Sequence, residues 1–254
     1  MEDTHLIQGS FCENPDNDLF LLFDGHNGRT AAEYAKKNLP ETLEQLFIDA
    51  TLSLSSPPSS SSAESDASVA HKLKKAFVTT HRAIIKKDVG GGTTAAAVLF
   101  LGNTGYVAHV GDSMVGVHTP GKGLHILTRP HRPTDPREAE MVRQRGGFIL
   151  RFSAREVRVN GILAVTRALG DMELGTSISP EPDVAVIPFE WDDPPTIIMA
   201  CDGLWDYMSE EDVAEIMERC PDPKSCAEEL RNAAYQVGGS SDNISVMIIK
   251  AKKK

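Results

Sequence analysis

Three apolar runs in this sequence end in an aspartate: Phe20–Phe23 before Asp24, Tyr106–Gly111 before Asp112, and Thr196–Cys201 before Asp202. A fourth, Ile244–Ile249, begins just after Asp242-Asn243. A carboxylate at a strand end is held with little slack while its oxygens still reach an open cleft. Each acid alone reads as turn chemistry, because Asp-Gly after a strand is a common turn; the repetition is what points to a shared site. Crowded carboxylates repel one another at low effective dielectric, so a cluster is tolerable mainly when cations sit between them. Ligation by oxygen without thiolates indicates hard ions, Mg²⁺ or Mn²⁺, and argues against zinc. Gly25 would let a backbone carbonyl approach such an ion. His26, in the same polar turn, is placed to protonate a leaving oxygen. Paired hard cations can acidify a bound water and clamp both ends of an in-line displacement at phosphorus, so phosphoester hydrolysis is the leading chemistry.

These acids need a rigid frame. Thr94–Leu101, Gly105–Val110, Met114–His118 and Gly123–Leu127 are short apolar runs separated by Gly, Asn, Asp or Pro, which predicts antiparallel strands. Pro195–Cys201 and Ile244–Ile249 read as further strands. Thr30–Phe47 has helical spacing that Pro40 should break into two helices. His71–Lys87, Asp135–Arg145, Ser209–Arg219 and Pro223–Val237 read as helices, with Ser209 and Asp212 as a capping box and Pro223 in a first turn. Thr51–Ser68 is serine-rich with two prolines and reads as a loop. Strand runs alternating with paired helices predict an α+β layered fold of antiparallel sheets covered by helices.

The 254 residues, 41% hydrophobic and 24% charged, suit a soluble globular protein with a sizeable core. A net charge of -10 argues against a sequence-independent nucleic-acid binder. The four cysteines, Cys12, Cys201, Cys220 and Cys226, form no C-x-x-C pattern, which favours a reduced cytoplasmic or nuclear setting. No apolar run approaches the roughly 18 residues of a membrane span, and no signal-peptide pattern opens the chain.

Several motifs occur together and in order: Met1-Glu2-Asp3, Phe23–Gly28, Gly92–Ala96, Val110–Ser113, Leu127–Pro133, Arg158–Asp171, Cys201–Asp206 and Ser240–Val246. The set resembles the signature of the protein phosphatase 2C family, metal-dependent serine/threonine phosphatases, from residue 1 to about 249. The resemblance implies a single catalytic domain over residues 1–254, a four-layer α-β-β-α sandwich of two antiparallel sheets, with a small flap at about 129–174. It also implies two catalytic Mg²⁺ or Mn²⁺ ions and a weaker third. Asp24 would bridge the two, with the Gly25 carbonyl, Asp202 and Asp242 as ligands and Glu2 acting through bound water. Asp112, Asp202 and Asp206 would hold the third ion; His26 would be the general acid, and Asp3 would orient the attacking metal-bound water. The RALGD segment, Arg167–Asp171, is expected to be scaffold. The implied partners are phosphoprotein substrates, with no nucleic acid and no membrane, and the chain is expected to be a monomer.

The sequence departs from the family pattern in places. The family carries an arginine four residues before the glutamate of its Met-Glu-Asp motif, so a first strand and this phosphate-gripping arginine are expected upstream of Met1. Met114, Pro130 and Asn27 replace a common arginine, acid and glycine without removing a proposed ligand. Two alternatives stand beside the phosphatase: a catalytically silent binding scaffold, and an enzyme acting on small phosphoesters.

Overall fold

A computed structural model of the chain describes residues 1–52, 65–153, 156–187, 195–220 and 222–250. The strands are β1 (Thr4–Gly9), β2 (Asn17–Phe23), β3 (Gly25–His26), β4 (Gly92–Thr93), β5 (Ala95–Leu101), β6 (Thr104–Val110) and β7 (Met114–Thr119). They continue as β8 (Gly123–Ile126), β9 (Ile149–Arg151), β10 (Val157–Val159), β11 (Leu169–Gly170), β12 (Asp183–Val186), β13 (Thr196–Ala200) and β14 (Val246–Lys250). The helices are α1 (Thr30–Leu52), α2 (Asp66–Lys86), α3 (Pro136–Gln144), α4 (Asp202–Trp205), α5 (Glu210–Arg219) and α6 (Pro223–Gln236).

Two antiparallel sheets, ordered β1-β2-β5-β6-β12 and β14-β13-β7-β8, form the centre. The apolar run that ends at Asp24 is buried on both faces, which is why it does not alternate. Leu19, Leu21 and Phe23 point to one core with α1 and α2, whereas Leu22 joins Val98, Val107, Val117, Ile197 and Met199 between the sheets. A third cluster seats α5 and α6 on the second sheet through Ile198, Ala200, Val213, Leu230 and Ala234. The result is the expected four-layer α-β-β-α sandwich.

Pro40 does not break the first helix; α1 runs through it. A proline inside a helix costs about 3 kcal/mol, but Ala32, Ala35, Leu39 and Leu43 form one buried stripe on both sides of it. That shared packing holds the two halves as one helix. Both ends of the segment read as a serine-rich loop are helical. Thr51 and Leu52 complete α1, and Asp66–Ser68 open α2 behind a Ser65 cap whose side chain accepts the Ser68 N–H; residues 53–64 lie outside the described residues. Ser209 caps α5 by accepting the Asp212 N–H, and Asp222 caps α6 with Pro223 in its first turn.

A small cluster of its own, Val142, Val159, Leu163, Val165, Ala168, Leu174 and Ile178, packs where α3 meets the β9–β10 hairpin. It is anchored through Glu138, whose carboxylate accepts from Thr166 Oγ1 at 2.6 Å and Arg167 Nε at 3.0 Å. Arg167 Nη1 reaches Asp183 on β12 at 2.8 Å, tying this unit to the edge of the first sheet.

Candidate active site

The strand ends converge. Asp24 closes β2, and its backbone is clamped by β4: the Asp24 carbonyl accepts from Thr94 N at 2.9 Å and from Thr93 Oγ1 at 3.0 Å. Asp112 sits in the turn between β6 and β7, and Asp202 follows β13 at the start of α4. Asp24, Cys201 and Asp202 each bring a ligand atom within 4.8 Å of the other two. The N-terminal segment closes over this group. Glu2 N–H donates to Asn243 Oδ1 at 2.6 Å, and Gly28 N–H donates to Glu2 Oε1 at 2.8 Å. Gly203 permits the close fit of the other wall, since a Cβ there would lie 2.0 Å from the Asn243 carbonyl oxygen.

The electrostatics are those of acids forced together. Burial, then the charges of Asp202, Asp3 and Asp112, push the Asp24 carboxyl up to about 10. Burial and the neighbouring Asp112, Asp206 and Asp242 raise Asp202 to about 7. Asp112 is also raised by burial, against the opposing pull of Arg132. Both Asp3 carboxylate oxygens are buried, and the group they meet is the Asp24 carboxyl, an acid set against an acid. Two buried carboxyls held together in this way cost free energy unless a proton or a cation lies between them. Cys201 brings sulfur to the group but not a thiolate. Burial raises its thiol, which donates to the Asn243 carbonyl at 3.3 Å and accepts the Ser245 N–H at 3.1 Å.

His26 lies on β3, in a three-stranded sheet ordered β11-β4-β3. Register places His26 opposite Gly92, and Gly92 opposite Gly170. Asp171 therefore meets the imidazole, with His26 Nε2 2.7 Å from Asp171 Oδ1 and the Asp171 side chain fully buried. With Nε2 turned to this carboxylate, Nδ1 is the atom left for other chemistry. Gly92 makes room for this pair, because a Cβ there would lie 2.2 Å from Asp171 Oδ2.

The family model described as Protein phosphatase 2C matches residues 1–244. The chain belongs to the protein phosphatase 2C family. A protein of Oryza sativa subsp. japonica named Probable protein phosphatase 2C 44 is 31% identical over 256 residues, covering 98% of this chain and 73% of the relative. Protein phosphatase 2C homolog 1 of Saccharomyces cerevisiae is 30% identical over 267 residues, covering 98% and 87%. Other curated relatives are matched over less of their length, down to 48% for one named Probable protein phosphatase 2C 52, also of Oryza sativa subsp. japonica. Among solved structures, one described as that of a C. elegans sex determining protein has a TM-score of 0.80 at 30% identity, covering 97% of this chain and 60% of that one. The serine-threonine phosphatase 2C of Toxoplasma gondii has a TM-score of 0.82 at 21% identity, covering 97% and 89%, a likeness of fold.

Within this phosphatase 2C fold, the acids expected from the sequence share one region. Asp24 and Asp202 bring carboxylate oxygens within 4.8 Å of each other and of the Cys201 sulfur; Asp3 and Asp112 act on Asp24 through their charges, and Asp206 and Asp242 on Asp202. Two residues of the site were not expected. Asp171 lies in the RALGD segment read as scaffold, yet it is the partner of His26. Arg132 joins Asp112 at 2.8 Å and Asp206 at 2.7 Å. Neither ends an apolar run, so the signal that exposed the other acids does not reach them.

Proposed function

We propose that this chain is a Mg²⁺- or Mn²⁺-dependent protein serine/threonine phosphatase, a single catalytic domain whose 129–174 region is a flap beside the cleft. The observation that carries this reading is the buried Asp3 carboxylate set against Asp24 with no protein cation paired to either among the described residues, the Asp24 carboxyl being held up to about 10 by burial and its acidic neighbours. Such a pocket fits hard cations: its donors are carboxylate and carbonyl oxygens, and its one sulfur is a protonated thiol engaged elsewhere. Asp24, the Gly25 carbonyl, Asp202 and Asp242 would hold them, with Glu2 beside them and Asp112 and Asp206 at the outer side. When bound, such cations neutralise phosphoryl charge and acidify water.

The chain's own residues divide the remaining work. Asp3 is the acceptor that orients an attacking water. His26 gives a proton from Nδ1 to the departing serine or threonine oxygen, while Asp171 fixes the ring from behind at Nε2. The rigid β2–β3 turn holds acid and imidazole in adjacent positions, so positioning is built into the strand. A silent scaffold has no use for buried carboxyls crowded against one another, which weighs against that alternative.

The test is phosphate release from a phosphothreonine peptide and from an aryl phosphate, with Mn²⁺, with EDTA, and with Asp202→Asn. Metal-dependent release that the substitution lowers at least about tenfold, the loss of roughly 1.4 kcal/mol of transition-state stabilisation, is expected. Activity on the aryl phosphate alone would move the reading to small phosphoesters. Release that EDTA leaves unchanged would end the metal reading.

A further inference from the structure

The acids of the cleft divide into two halves. On the inner side, among the described residues, Asp3 and Asp24 have no protein cation paired with them. On the outer side a single guanidinium serves three carboxylates. Arg132 Nε lies 2.8 Å from Asp112 Oδ2, Nη1 lies 2.7 Å from Asp206 Oδ1, and Nη2 lies 3.8 Å from Asp202 Oδ2. The side chain is only 30% exposed.

Arg132 does not reach these acids from a loose loop. His131, the residue before it, is bonded on three sides. Its N–H donates to the Gly111 carbonyl at 2.9 Å, its Nδ1 accepts the Gly111 N–H at 3.2 Å, and its carbonyl accepts the Thr166 N–H at 2.9 Å. Gly111 directly precedes Asp112, so one clamp sets both the arginine and its first acid. Asp135 N–H donates to the Arg132 carbonyl at 3.0 Å and closes the other side. A planar fork of five donors can satisfy several carboxylate oxygens at once, which a lysine ammonium cannot do with the same geometry.

We propose that Arg132 is a displaceable internal cation that occupies Asp112, Asp202 and Asp206 in place of a divalent ion and competes with that ion for them. The inference rests on the metal-cleft reading above. A guanidinium and a divalent cation repel at contact distance and need the same oxygens, so one must leave before the other binds. The competition falls only on the outer acids. The inner half, with Asp3 and Asp24, carries no such rival, so its ions bind first and more tightly. Asp202 belongs to both halves, so filling one half alters the other.

Direct counting of bound Mn²⁺ tests this without reference to turnover. The chelator-stripped chain is titrated with Mn²⁺, free ion is read from its EPR signal, and wild type is compared with R132Q, R132K and R129Q. Arg129 pairs with Asp135 at 2.8 Å, away from the three acids, and is 59% exposed, so R129Q removes equal charge without freeing a ligand. Arg132→Gln should tighten the weakest Mn²⁺ step at least about tenfold, R132K by a smaller factor, and R129Q by less than about twofold. An unchanged or weakened step in R132Q overturns the proposal, as does equal tightening in R129Q. Where R132Q does not fold, a wild-type step in R132K overturns it. Absence of any bound Mn²⁺ in wild type fails the metal-cleft reading itself and this inference with it.

Discussion

Replacing Asp171 by asparagine isolates one hydrogen bond at the heart of the proposed proton-transfer step. His26 Nε2 and Asp171 Oδ1 are 2.7 Å apart, and the carboxylate is fully buried. Asparagine keeps the shape and can still accept from Nε2–H, so the change removes charge and leaves geometry. Hydrogen bonds to charged groups are worth roughly 1.5–3 kcal/mol against about 0.5–1.5 for neutral ones, a difference near 1.2 kcal/mol. That difference is about tenfold in rate if the bond matters in the transition state. The loss should fall on kcat for a phosphothreonine peptide, whose leaving alkoxide needs a proton, and stay within about threefold for an aryl phosphate. The assay is the ratio of the two kcat values at saturating Mn²⁺, for wild type, D171N, H26A and the double variant. Because Asp171 acts through His26, the double variant should be no slower than H26A alone. Equal losses on both substrates, or fully additive losses in the double variant, would refute the assignment of Asp171 to the imidazole.

Gly203→Ala sets a Cβ 2.0 Å from the Asn243 carbonyl oxygen, so the walls carrying Asp202 and Asp242 must part by about 1 Å; Mn²⁺ affinity measured by calorimetry should fall at least about tenfold, and wild-type affinity would contradict the packing. In EDTA the raised Asp24 and Asp202 carboxyls hold protons that the unfolded chain releases near pH 4. The native state therefore binds more protons than the unfolded one above that pH, and stability falls as pH rises through the folded values. Urea melts should show a loss of up to about 1.4 kcal/mol from pH 7 to 8 in EDTA and none in Mn²⁺; a flat metal-free profile would count against the crowded acids. Glu138→Ala leaves the buried Arg167 without its main partner and should lower stability by about 3 kcal/mol in the same melts; a change below 1 kcal/mol would show that water replaces the pair.

Much of this arrangement is legible in the sequence, and the reasons are local. Asp24, Asp112 and Asp202 stand out because each follows a run whose apolarity marks a buried strand, and because a strand end leaves a side chain few places to go. The sheet-building runs were readable for the same reason, as were the helix that Ser209 caps and the one that Pro223 opens. What escaped is set by pairing between distant segments. Asp171 meets His26 only through the register of β3, β4 and β11, three strands of two residues each with no periodicity to read. Arg132 reaches Asp112 because His131 docks on Gly111, a contact between residues twenty positions apart. Pro40 misled in the opposite direction: local propensity breaks the helix there, and the buried stripe from Ala32 to Leu43 overrides it.

The central claim is that phosphoester hydrolysis here depends on divalent cations gathered at Asp24. The most direct measurement is phosphate release from a phosphothreonine peptide by the chelator-stripped chain as Mn²⁺ is added back, for wild type and Asp24→Asn. Release that is absent without metal, rises with Mn²⁺ occupancy in wild type and stays at least about a hundredfold lower in D24N is the expected result. Undiminished release by the stripped chain, or by D24N at the same Mn²⁺ concentration, would contradict it.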